Sequence, residues 1–195
     1  LLNDRFEEAD KDLLREKEGF GTVGHGNADG TGTEDRILLF VGRLNYEKRP
    51  LDMFRILDML NEDRYKLIII GDGILWDEVC AKAREYGNRV KVHLQIPHDK
   101  MWQYYVMSDY FVNLWDREIF GMAITEAIYY MVPSFLISAP GPRVIAAEMD
   151  NAFICSSREE IADKISSFER DENSLIKDHR HLTETFTWDR FVMNV

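Results

Sequence analysis

Residues 36–50 read RILLFVGRLNYEKRP: five consecutive apolar side chains, Ile37 to Val41, end on a glycine and open into a loop rich in basic and polar residues. An apolar run of strand length with no polar face predicts a strand buried on both sides, as in a parallel sheet. The same kind of run recurs at 67–70 (LIII), 90–94 (VKVHL), 110–114 (YFVNL), 134–137 (SFLI) and 152–155 (AFIC). Between the runs, Leu51, Phe54, Leu57 and Leu60 recur at steps of three and Leu75, Val79 and Ala83 at steps of four, which sets each group along one helical face. Ser157 and Glu160 form a capping-box pattern ahead of Ile161, Ile165 and Phe168. Strand and helix thus alternate about six times, which predicts an α/β fold, a doubly wound, Rossmann-like domain with a mainly parallel six-stranded sheet and right-handed crossovers.

The 195 residues suit one such domain, and a hydrophobic share of 45% can fill its core. With 24 basic against 35 acidic residues the net charge is -11, which repels nucleic acid phosphates and anionic lipid, so no nucleic acid partner is expected. Cys80 and Cys155 lie in no zinc spacing, so buried thiols are expected. No run approaches a membrane span and no secretory signal opens the chain. The expected location is the cytoplasm, with a longer parent chain able to sit peripherally at a membrane. The first 35 residues differ: ten acidic residues against four basic ones, and six of the twelve glycines. They read as an acidic segment, with a short helix over 4–17 turning Phe6, Leu13 and Leu14 to one side, and a flexible linker over 19–35. The domain proper is then 36–195.

In a doubly wound sheet, ligands bind outside the carboxyl ends of the strands, near the switch in strand order. The loop after the first strand brings Arg43 and Lys48 to that edge, either as a solvated basic loop or as a guanidinium and an ammonium for a diphosphate. Gly71-Asp72-Gly73 signals a tight turn, and no GxGxxG follows any strand, which argues against a nicotinamide or flavin dinucleotide. After the fourth strand, Glu118 falls in the loop and Glu126 in a helix that starts near Gly121. The amides of Phe120, Gly121 and Met122 are then expected as free donors for a phosphate. A glutamate at a helix start beside an unrelated surface glutamate fits the same spacing. His25, His93 and His98 read as packing or solvent positions, and His179 with His181 as a solvated pair without carboxylate partners. Trp102, Tyr104 and Tyr105 read as packing aromatics rather than a base-stacking platform.

In order, GRLNYEK, GDG, PHDKMWQYYVMSD, the pair Glu118 and Glu126, and the terminal TFTWDRF resemble the C-terminal donor domain of GT-B retaining glycosyltransferases of the family 4 type, over about 36–195. The resemblance implies transfer of a hexose, with retention, from a UDP- or GDP-linked sugar to a sugar, glycan or lipid acceptor. It implies no metal or other cofactor. It assigns Arg43 and Lys48 to the diphosphate leaving group, Glu118 to the donor sugar and Glu126 to the ribose. Phe120, Gly121 and Met122 meet sugar and phosphate, Gln95 and Ile96 meet the nucleobase, and Gly42 lies at the donor. A further, N-terminal domain would bind the acceptor, as expected for a chain that begins at Leu1. The departures from the pattern are Leu94 where glycine is common, Tyr129-Tyr130-Met131 in place of small residues, and a 139–143 loop without its acidic residue. A non-catalytic nucleotide-sugar-binding module and a sugar-nucleotide epimerase or phosphorylase relative are the other functions compatible with these residues.

Overall fold

The structure, a computed structural model, describes residues 8–21 and 35–185. Phe6, His25, the linker positions 22–34 and residues 186–191 of the terminal motif lie outside them. The strands are β1 (Arg36–Val41), β2 (Tyr65–Ile70), β3 (Val90–His93), β4 (Tyr110–Asn113), β5 (Ser134–Ile137) and β6 (Ala152–Cys155). All pair in parallel, in the order β3-β2-β1-β4-β5-β6. This is the doubly wound order in which the chain reverses direction between β1 and β4, so the crevice between their following loops is where a ligand belongs.

The helices are α1 (Glu8–Glu18), α2 (Asp52–Leu60), α3 (Trp76–Glu85), α4 (His98–Met107), α5 (Met122–Tyr129), α6 (Pro140–Ala146), α7 (Arg158–Ser166) and α8 (Glu172–Thr185). Because side chains alternate across a strand, β1 feeds two cores. Leu38 and Phe40 pack with Phe54, Leu57 and Leu60 of α2, Val79 and Ala83 of α3 and Ile161 and Ile165 of α7. Ile37 and Leu39 pack on the other face with Leu14 of α1, Tyr104 and Tyr105 of α4, Ile124 and Ala127 of α5 and Leu182 of α8. The aromatics of α4 are therefore core, as their spacing predicts. Cys155 is buried, and Cys80 is only half-buried.

Three local expectations are corrected. Leu13 is half exposed, and α1 instead buries Leu14 and Arg15. Arg15 donates through Nη2 to Oδ2 of buried Asp109 at 2.7 Å and through Nε to the Met107 carbonyl at 2.9 Å, while Lys11 donates to Asp109 Oδ1 at 3.0 Å. The segment before residue 36 thus contributes a helix to the same core, held by ion pairs that hydrophobic spacing does not register. At α7, Ser157 accepts from the Glu160 amide as expected, but the Glu160 carboxylate turns to the amide and hydroxyl of Ser156 at 2.8 and 2.6 Å, so the box does not close on one residue. His181 has a carboxylate neighbour, Glu148 Oε2 at 3.1 Å, and His179 Nδ1 lies 2.5 Å from the Tyr129 carbonyl.

Met131 takes φ +57°, a left-handed conformation that its Cβ disfavours, in the turn between α5 and β5. Met131→Gly is expected to stabilise the fold by about 0.5–1 kcal/mol, the relief of that strain less the extra chain entropy of glycine. Urea denaturation should show the midpoint rising with its slope unchanged.

Candidate active site at the carboxyl edge of the sheet

The loops after β1, β2 and β3 are bound to one another by their backbones. Gly42 N–H donates to the Ile70 carbonyl, Leu44 N–H to Asp72 O at 2.8 Å, and Gly71 N–H to His93 O at 3.0 Å. A Cβ on Gly71 would fall 1.8 Å from the Gly42 carbonyl oxygen, and one on Gly73 would fall 2.4 Å from that of Leu44. Only glycines allow this approach, so the GDG turn predicted from sequence also seats the loop that carries Arg43 and Lys48. On the other side of the switch point, Gly141 N–H donates to the Glu118 carbonyl at 2.9 Å and ties the start of α6 to the loop after β4.

Lys48 ends a short turn of 3₁₀ helix, Tyr46–Lys48, in which Asn45 Oδ1 accepts its amide at 3.1 Å. Its ammonium reaches across to the β4 loop, 2.8 Å from Glu118 Oε2 and 3.7 Å from the centroid of the Trp115 ring. The pair is largely buried, with 16% and 12% of the two side chains exposed, which favours a strong attraction over a solvated contact. Glu118 uses its other oxygen to accept the Gly121 amide at 3.1 Å. Gly121, at φ +72°, caps α5, so Glu118 and the helix start form one unit with Lys48. The expectation of a free Gly121 amide is therefore corrected: the Glu118 carboxylate occupies it, because in a half-buried loop an unpaired N–H is costly.

Glu126 lies one turn into α5, its Oε2 accepting the Tyr105 hydroxyl at 2.7 Å. Its Oε1 is 4.0 Å from Nε2 of His98, which opens α4 and is 93% exposed. Gln95, exposed, and Ile96, half-buried against the second core, lead from β3 into α4. That connection brings the region expected for a nucleobase towards the glutamate expected for a ribose. Arg43 is exposed at the start of its loop, and Phe120 and Met122 expose apolar side chains beside α5. Burial and the nearby Glu126 charge push the Tyr105 hydroxyl well above its usual pKa, so it is a proton donor at any physiological pH.

The site residues expected from the sequence all lie in the loops after β1, β3 and β4 or in the helix that follows β4. The structure brings Lys48, Glu118 and Gly121 into direct contact, and it does not join Arg43 or Gln95 to them by any bond. Trp115 has no assignment from sequence, and Tyr105 reads there only as a packing aromatic. Trp115 directly follows the fourth strand, which marks a switch-point loop, but nothing in the sequence pairs it with Lys48. Tyr105 carries the helical spacing of a core aromatic, which hides the work of its hydroxyl. Among the described residues, no group of three or more histidine, cysteine, aspartate or glutamate side chains could hold a metal ion, and no helix is long and apolar enough to cross a membrane.

A doubly wound sheet with its polar loops gathered at the switch point defines the Rossmann-like class that forms one half of the GT-B fold. Residues 27–185 match the glycosyl transferases group 1 family, and the chain belongs to it. It is 29% identical over 97 residues to the amylovoran biosynthesis glycosyltransferase AmsD of Erwinia amylovora, a match covering 50% of this chain and 28% of that protein. Among solved structures, Anabaena Alr3699/HepE in complex with UDP and glucose superposes with a TM-score of 0.76 at 18% identity, over 96% of this chain and 51% of that one. The catalytic domain of starch synthase IV from Arabidopsis thaliana, bound to ADP and acarbose, gives 0.71 at 14% identity, over 96% and 41%. The chain therefore spans about half or less of the length of the relatives it matches, and at these identities the structural likeness shows the fold.

Proposed function

We propose that this chain is the donor-binding half of a retaining hexosyltransferase, which takes a sugar from a UDP- or GDP-linked donor and passes it to a hydroxyl of a sugar, glycan or lipid. The observation that carries this reading is the Lys48–Glu118–Gly121 unit, which bridges the two loops of the switch point with a cation, a carboxylate and a helix start. As the bond between the anomeric carbon and the diphosphate breaks, negative charge grows on the leaving phosphate. Lys48 and Arg43, both in the loop after β1, neutralise it, and the first turn of α5 adds backbone donors. Glu118 accepts hydrogen bonds from hydroxyls of the transferred sugar, and Glu126 from the ribose. Gly42 lets the first loop lie close to the donor, Gln95 and Ile96 offer main-chain groups to the base, and Phe120 and Met122 flank the sugar. These groups supply the charge stabilisation without a metal ion. Exposed Ile119, Phe120, Met122 and Ile74 at this edge support a covering N-terminal domain that carries the acceptor.

The test is thermal melting of the chain with UDP, GDP, ADP and their nucleosides, since a ligand stabilises according to its concentration over its affinity. A diphosphate should raise Tm progressively into the millimolar range while the nucleoside does not. No shift with any diphosphate at several millimolar would sink the proposal. As the donor half alone, the chain offers half of a cleft, so weak binding, in the high micromolar to millimolar range, is the expected result.

A further inference from the structure

Tyr105 is fully buried between the sheet and α5, with its ring stacked on Tyr130 at 5.4 Å and 11° and tilted against Phe111 at 6.3 Å. A buried phenol must place its hydroxyl, and this one spends its proton on a carboxylate at the rim of the site rather than on a backbone carbonyl. Glu126 is the reverse case: its side chain is one-third exposed, yet one of its oxygens accepts the hydroxyl of a fully buried, stacked ring. The other oxygen, Oε1, lies 4.0 Å from Nε2 of exposed His98, beyond hydrogen-bond distance, so its lone pairs are open to a ligand's hydroxyls.

We propose that Tyr105 is a positioning residue: it locks the Glu126 carboxylate in the orientation that accepts the 2′- and 3′-hydroxyls of a ribose, and so gives the site its preference for ribonucleotides over 2′-deoxyribonucleotides. The inference rests on the nucleotide-sugar reading above. A carboxylate held in place before the ligand arrives loses no rotamer freedom on binding, so its hydrogen bond to the sugar counts in full. Without the phenol, Glu126 turns to water, and its bond to the ribose is offset by the entropy of ordering it. The proton stays on Tyr105 because the hydroxyl's pKa is high, so the clamp holds across the neutral range.

The experiment is calorimetric titration of the chain and of Tyr105→Phe with UDP, 2′-deoxy-UDP, GDP and 2′-deoxy-GDP, with a thermal melt of each protein alongside. The substitution keeps the ring and its stacking and removes one oxygen, whose partner can reach solvent, so the variant folds. Tyr130→Phe, which removes a hydroxyl from the neighbouring ring, is the control. The wild-type chain should prefer the ribose form. Tyr105→Phe should lose about tenfold in affinity for it while binding the deoxy form as before, so that the preference collapses; Tyr130→Phe should keep it. If Tyr105→Phe retains the preference, or loses both forms equally, Tyr105 is a structural residue and the positioning role is overturned while nucleotide binding stands. If the wild-type chain binds none of the four, the reading on which the inference rests has failed instead.

Discussion

Asp109→Asn should destabilise the domain by about 3–5 kcal/mol, the cost of leaving buried cations without their anion. Asp109 is 4% exposed and Arg15 wholly buried, and the carboxylate accepts Arg15 at 2.7 Å, Lys11 at 3.0 Å and the Ile37 amide at 2.7 Å. Asparagine keeps the shape, and its oxygen at the Oδ2 position can still accept Arg15 and the Ile37 amide, but it supplies no charge and its NH₂ then faces the Lys11 ammonium. The loss therefore falls on α1, whose attachment to the sheet depends on this contact. Urea denaturation read by tryptophan fluorescence should show the midpoint dropping sharply; a change under about 1 kcal/mol would mean the triad is no more than a surface ion pair.

The pH dependence has the same origin. Burial alone would raise the Asp109 pKa, but the charges of Lys11 and Arg15 outweigh it and hold the carboxyl below the usual carboxylate range. A folded-state pKa below the unfolded one means that this stabilisation is complete above the unfolded value, about 3.9, and is lost as the pH falls through the folded one. Wild type should therefore weaken in acid more steeply than Asp109→Asn, and the two stability curves should converge there. Because Asp109 precedes β4, at the amino edge of the sheet, nucleotide binding below the melting point should be unchanged by the substitution.

Lys48→Ala and Glu118→Gln should move nucleoside diphosphate affinity in opposite directions. In the structure Lys48 is paired with Glu118, and Glu118 also holds the Gly121 amide. Under the proposed function, a diphosphate would draw on the same two donors, so the Glu118 carboxylate would compete with its charge for them. Removing Lys48 takes away the cation paired directly with Glu118, and affinity should fall by about tenfold or more, as expected for a lost charge-assisted contact. Glu118→Gln removes the competing charge, frees Lys48 and keeps an oxygen for Gly121, so UDP should bind several-fold more tightly. Under the proposed function, sugar transfer by a longer protein that contains this chain should still fall in both variants, through the leaving group in one and the sugar contact in the other. Isothermal titration with UDP decides the affinities: weaker binding by Glu118→Gln would show that the carboxylate assists the diphosphate instead of holding its place.

The strands were legible because most are near-continuous apolar runs that fit burial on both faces; the run at 90–94, which interleaves Lys91 and His93, forms the edge strand β3, where only Val90 is buried. The residual errors are at the ends. β2 starts at Tyr65 because Tyr65 and Lys66 pair with Arg36 and Ile37, and Leu94 falls outside β3, where it is half exposed. The switch-point rule placed Arg43, Lys48, Glu118 and Glu126 on one edge without coordinates. It did not say that Lys48 would cross 70 positions of sequence to meet Glu118, nor that α1 would hang from a carboxylate 94 positions away.

Hydrophobic patterning by itself determined the layers, the strand count and the edge on which chemistry can occur, because burial of apolar surface is non-directional and leaves its period in the local sequence. Which polar groups meet was decided only by the tertiary structure. A hydrogen bond or ion pair needs two atoms within about 3 Å in a set orientation, and partners such as Tyr105 with Glu126, Lys48 with Glu118 and Arg15 with Asp109 come from segments that only the folded sheet brings together.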